Sequence, residues 1–193
     1  MRTFKFLLII SVTFIFSCTE NSTVSNGKDQ RVEISPTDTA LHLINGIFYY
    51  RSLKYTGDIK EIYHDGLLKS IQHLQDGKQE GLAETFYEDG KPESSRWYTK
   101  GEKDSTQTGW WENGNIKYEY HFKNGTYNGM FTEWYQSGRM LQQVMYAHGN
   151  EVYGRGWRES AKLYMNFVMK DGRRYGLNNS NLCYTLDRET VRK

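Results

Sequence analysis

The stretch Gly81–Gly101, GLAETFYEDGKPESSRWYTKG, decides the fold. An aromatic pair, Phe86–Tyr87, precedes an acidic-glycine turn, and a second glycine turn closes the stretch. Both features recur along the chain. Gly66, Gly90, Gly114 and Gly138 follow one another every 24 residues, and Gly77, Gly101, Gly125 and Gly149 form a second series at the same spacing, with Gly172 one residue short. A third series runs Gly57, Gly81 and Gly129, with Ser105 at the missing position. Ahead of the first series stand Ile62–Tyr63, Phe86–Tyr87, Trp110–Trp111 and Trp134–Tyr135. Self-similarity at a fixed period marks a repeat architecture.

Asp-Gly and Asn-Gly between strand-like runs favour a tight hairpin, because its central residues need positive φ. The HDG, EDG and ENG turns of the first series are assigned to that class, and QDGK, KNGT and KDGR turn the chain back again. Each unit is then two antiparallel strands and two turns, since only about eight or nine residues separate the turns, a strand length. Alternation adds detail. The second residue after each first-series turn is Leu68, Pro92, Ile116, Met140 and, in the shortened last unit, Leu163. The eighth is Leu74, Tyr98, Phe122, Tyr146 and Met169. Their even separation predicts that both columns share one sheet face. The fold expected is all-β: an elongated, twisted antiparallel meander of stacked 24-residue hairpins, each touching mainly its neighbours. Residues 57–176 hold the repeats. Residues 41–56 are expected as a capping hairpin around Asn45–Gly46, and residues 177–193 as a polar C-terminal cap and tail.

The N-terminus is a different object. Arg2 and Lys5 precede the apolar run FLLIISVTFIF, which is too short to span a bilayer, a task needing about 20 residues. A positive start, a short apolar run and a small residue before the cut describe a secretory signal. The stretch IFSC resembles a bacterial lipobox, which implies cleavage after residue 17, acylation of Cys18 and attachment to the cell envelope. Residues 18–40 read as the acylated cysteine and a flexible tether, since they carry almost no apolar periodicity. Cys183 is then left without an intramolecular partner, so no disulfide framework is expected.

The chain has 25 basic and 23 acidic residues, and losing Arg2 and Lys5 leaves 25 − 2 = 23 against 23. A neutral mature chain argues against nucleic-acid binding, which needs a basic face to neutralise phosphates. The balance is uneven: residues 155–193 hold nine basic and four acidic residues, a net +5.

GLAETFYEDGK, GMFTEWYQSGR and YTGDIKEIYHDGLLKSIQHLQDGKQEG resemble the bacterial variant of the MORN repeat, over about residues 46–176. That pattern is a glycine, an aromatic pair, Asn/Asp-Gly and a second Gly-Lys turn. Many bacterial proteins of this kind are labelled YwqK-like antitoxin components, which implies a protein that binds and neutralises a toxin. MORN proteins generally are similar to assembly or membrane-proximal interaction modules.

Chemistry is not indicated. His73 and His121 occupy equivalent positions two units apart, about 19 Å at roughly 4.8 Å per strand, too far to share a metal. His42, His64 and His148 complete no ligand set, and no phosphate loop, nucleophile elbow or Cys/His metal spacing occurs. The chain is read as a non-enzyme without cofactor or metal. Trp110, Trp111, Trp134, Tyr135 and Trp157 form the candidate binding face. Aromatic hot spots suit a protein partner, a toxin or an envelope protein. A row of Trp and Tyr suits envelope carbohydrate as the alternative.

Overall fold

A computed structural model describes residues 32–177. The strands are β1 (Glu33–Ile34), β2 (Leu41–Ile44), β3 (Ile47–Tyr50), β4 (Leu53–Lys54), β5 (Gly57–Ile62), β6 (Leu68–Gln75), β7 (Lys78–Phe86) and β8 (Pro92–Thr99). They continue as β9 (Glu102–Trp110), β10 (Ile116–Lys123), β11 (Thr126–Trp134), β12 (Met140–Ala147), β13 (Asn150–Trp157), β14 (Leu163–Lys170) and β15 (Arg173–Leu177). Strands β5 to β15 pair in chain order as one antiparallel meander, so the all-β hairpin architecture holds.

The two glycine series make different turns. In the second series both central residues have positive φ, as at Asp76 (51°) and Gly77 (79°), and the pair Gln75–Lys78 closes a two-residue loop. In the first series only the glycine does. Gly66 (φ 90°) donates its N–H to the Tyr63 carbonyl at 3.0 Å, and Tyr63 N–H donates to the Leu67 carbonyl at 2.8 Å. These are four-residue turns that end on a left-handed glycine, not the tight two-residue class expected for HDG, EDG and ENG. Asp65 and Asp89 explain the acidic residue, because each carboxylate accepts the N–H two residues on, at 3.0 Å.

The Leu68 and Leu74 columns do not share one face, contrary to the expectation from alternation. Ile62 pairs with Leu68 while Glu61 pairs with Ser70, so β6 carries one extra residue at its start. The same shift recurs at Phe86, Trp134 and Trp157, and between Ile116 and Tyr118 opposite Trp110. A bulge of this kind resets which face a strand presents. The Leu68 column therefore lies across from the first aromatic of each pair, and the Leu74 column lies on the other face with Gly57.

Burial follows that division. The face that carries Ile59, Leu74, Tyr98, Phe122, Val144, Met165 and Phe167 holds most of the thin core. Among the described residues no large side chain is completely buried, as a single layer of strands requires. At the N-terminal end the small sheet β2-β3-β4 covers it: Leu41, Phe48 and Tyr50 pack on Ile34, Tyr55, Ile59 and Leu74. Residues 33–34, inside the expected tether, join this end of the sheet. There β1 runs parallel to β5, and Ile34 is buried. The expected signal segment, Cys18 and Cys183 lie outside the described residues.

Candidate functional site

The first member of each pair is the last residue of its strand and the second opens the turn that follows, which separates the two. The first members, Ile62, Phe86, Trp110, Trp134 and Trp157, lie along one margin of the less buried face, hereafter the outer face. Gly109 fixes the side: a Cβ there would run into the Tyr118 ring on the core face, so Trp110 points the other way. The second members reach from one repeat to the next. The Tyr63 hydroxyl donates to the Phe86 carbonyl at 2.7 Å and the Tyr87 hydroxyl to the Trp110 carbonyl at 2.7 Å. Trp111 Nε1 donates to the Trp134 carbonyl at 3.1 Å, and the Tyr135 hydroxyl to the Trp157 carbonyl at 3.1 Å. The five candidate residues thus hold two positions, with Trp110, Trp134 and Trp157 on the outer face and Trp111 and Tyr135 stitching repeats. All five are half-buried.

On the opposite margin the second-series glycines bind backward. The N–H groups of Gly77, Gly101, Gly125 and Gly149 donate to the carbonyls of Tyr55, Gln79, Lys103 and Tyr127, at 2.7 to 2.8 Å. Each repeat is therefore clamped at both ends, and the glycines act in the scaffold.

Sequence reasoning placed Phe122 and Tyr146 in a column but did not single out Trp97 or the ring stack around Tyr120. Trp97 on the outer face is 44% exposed and pairs with Leu82. On the core face Tyr120 stacks on Phe131 with ring centroids 3.9 Å apart, and Tyr118 stacks on Tyr120 at 4.5 Å. Phe122, Tyr127 and Tyr146 meet the same group edge-on or tilted. The Tyr120 hydroxyl donates to Glu133, which also accepts from Gln142 at 2.7 Å. Burial first, then the Glu133 carboxylate, pushes the Tyr120 phenol far up. The alternating aromatics of YEYHF at 118–122 and YNGMF at 127–131 were the available signal; their stacking depends on cross-strand register.

His73 Nδ1 lies 2.6 Å from the largely buried Asp58 Oδ1. His121 contacts the Thr106 hydroxyl at 3.1 Å and Glu119 at 3.3 Å. Among the described residues no group of three or more His, Cys, Asp or Glu side chains could hold a metal ion. No helix among them is long and apolar enough to cross a membrane.

Hairpins clamped to their neighbours in one layer define a β-repeat protein, a class that offers long surfaces and few enclosed pockets. The MORN repeat variant matches residues 79–99 and 103–124, which are the two hairpins β7–β8 and β9–β10. These matches support a MORN-type repeat protein, and the same pairing continues through β14 beyond the matched residues. No curated protein and no solved structure matches the chain.

Proposed function

We propose that the protein is a non-catalytic repeat module that binds another protein at the bacterial cell envelope, anchored there by acylation of Cys18. Antitoxin- or immunity-like neutralisation of an exported toxin is the specific form that the family resemblance suggests. MORN repeats are commonly protein- or membrane-binding modules. The observation that carries the reading is the division of aromatic labour. One member of each pair holds the scaffold, while Trp97, Trp110, Trp134 and Trp157 share the outer face. The few residues that dominate the energy of protein interfaces are enriched in Trp and Tyr, packed into pockets of the partner.

Carbohydrate binding on the same rings is the second reading. The exposure of Trp97 supports it, whereas Lys117 lies over the Trp111 ring, 4.4 Å from its centroid, and occupies a face a sugar would use.

Affinity capture from crosslinked envelopes, with a Trp110→Ala/Trp134→Ala variant as control, tests the reading. One protein recovered in near-equal amount and lost in the control supports a binding module. Polysaccharide recovered alone would replace it with the carbohydrate reading, and background in both samples would leave only a spacer.

A further inference from the structure

The outer face changes character at its C-terminal end. Register places Met130, Met145, Tyr153, Val168 and Tyr175 opposite one another on β11 to β15, a row about 19 Å long at roughly 4.8 Å per strand. Its last three members are 44%, 51% and 49% exposed. Three adjacent exposed apolar groups are uncommon on a surface that meets only water. Cations flank the row on both sides. Arg155 stands on one side, across from Asn166, and Lys170 and Arg173 form the cross-strand pair on the other. Arg174 points to the core face and is held by Glu151, at 2.5 to 2.9 Å. Arg155, Lys170 and Arg173 have no such carboxylate partner among the described residues. Residues 155–177 contain six basic and two acidic side chains, 6 − 2 = +4. Between Tyr153, Arg155, Asn166, Val168 and Tyr175 lies a hollow of about 310 Å³.

We propose that this end of the outer face, on β13 to β15, docks an acidic segment of a partner protein that also presents an apolar side chain to the hollow. The proposal rests on the binding-module reading and adds to it a location and a partner chemistry. Charge decides among occupants. The chain's own residues 178–193 carry three basic and two acidic side chains, 3 − 2 = +1, and would meet a surface of the same sign. An acidic segment gains both desolvated apolar contact and cation pairing, and the pairing hastens association at low salt.

The test uses the full chain in detergent and a fluorescent peptide of alternating Glu and Tyr, with a Lys–Tyr peptide, anionic phosphatidylglycerol vesicles and the unliganded chain's own sedimentation as comparators. We expect saturable binding of the Glu–Tyr peptide that weakens as salt rises. Val168→Ser/Tyr175→Ser should weaken it by about tenfold or more, the effect of losing an interface anchor. Arg155→Gln/Arg173→Gln should flatten the salt dependence. Every substituted side chain is exposed, so unchanged circular dichroism and melting are expected to accompany the loss. Equal binding of both peptides, binding unaffected by these variants, or preference for vesicles would overturn the proposal. Self-association abolished by Val168→Ser/Tyr175→Ser would likewise overturn it, in favour of a second copy. If the envelope capture described above still yields one partner with Val168→Ser/Tyr175→Ser, the module reading stands and this location falls. If neither peptide nor partner binds the unmodified chain, both fall.

Discussion

The Tyr87 hydroxyl donates to the main-chain carbonyl of Trp110, 2.7 Å away and 23 residues downstream. The same bond is made by Tyr63 in the preceding repeat and by Tyr135 in a later one, while an indole N–H replaces the phenol at Trp111. The series ends where Arg158 occupies the second position; its guanidinium instead lies over the Tyr164 ring.

These bonds make coupling between repeats a measurable quantity. Tyr87→Phe keeps the ring and removes only the donor. The expected loss is about 1 kcal/mol, the usual net worth of a neutral hydrogen bond. Tyr63→Phe/Tyr87→Phe/Tyr135→Phe should lose about three times as much, on the same basis, and should broaden urea unfolding followed by circular dichroism. A triple variant as stable as the parent would show that these bonds carry no coupling.

Two residues occupy left-handed conformations that glycine fills elsewhere in the repeat. Ala161 (φ 64°) stands at the first-series turn position, and Ser105 (φ 56°) at the third-series position. A left-handed backbone costs a residue with a Cβ about 1–2 kcal/mol. Ala161→Gly and Ser105→Gly should each raise stability by about 1 kcal/mol after the added freedom of the unfolded chain is subtracted. The reverse change, Gly129→Ala, should cost more than that, because its Cβ would also stand 2.8 Å from the His121 Cβ. Thermal melts of the three variants check the order.

Gly109 has no left-handed φ, so its role is steric. An added Cβ would enter the Tyr118 ring, which stacks on Tyr120. Gly109→Ala should therefore destabilise the chain by about 1–3 kcal/mol, the range for overpacking, and should disturb near-ultraviolet circular dichroism from the tyrosine cluster. Tyr118→Ala on the Gly109→Ala background should restore part of the loss.

Alkaline pH should unfold the protein by way of its tyrosines. Burial pushes the phenols of Tyr55, Tyr120 and Tyr146 up, with Asp58, Glu133 and Glu151 respectively adding to the effect. Folding thus favours the neutral phenol. The contribution is complete below the ordinary tyrosine value of about 10 and is lost as pH rises through the raised folded values. Tyrosinate absorbance and circular dichroism should change together above that pH. Tyr120→Phe should move the midpoint upward relative to its own neutral-pH stability, although Glu133 loses the Tyr120 donor and the variant starts less stable. Gradual tyrosine ionisation while the sheet persists would contradict this account.

Much of the architecture was legible because a repeat states its geometry several times over. Glycines at a constant interval and Asn/Asp before them leave few conformations for the turns, and eight-residue segments leave little but strands. The assignment of turn class failed at HDG, EDG and ENG because Asp65 and Asp89 cap a four-residue turn through their side chains, which the dipeptide alone does not distinguish from a tight loop. Placing Leu68 and Leu74 on one face failed for a related reason. The extra residue at the start of β6 is visible only when β5 is aligned beside it.

The amino-acid sequence by itself determined the period, the strand-turn order and the aromatic pairs of the three central units, since those depend on local backbone preference and on residue spacing. The tertiary structure alone decided what each aromatic does. Phe86 and Tyr87 are neighbours in the chain, yet one faces outward and the other donates to the next repeat, because a bulge and a partner strand assign their directions. It also gathered Tyr153, Val168 and Tyr175 into one exposed row between cations that have no carboxylate partner among the described residues. Such a surface belongs to three strands in register, and no single segment of the sequence contains it.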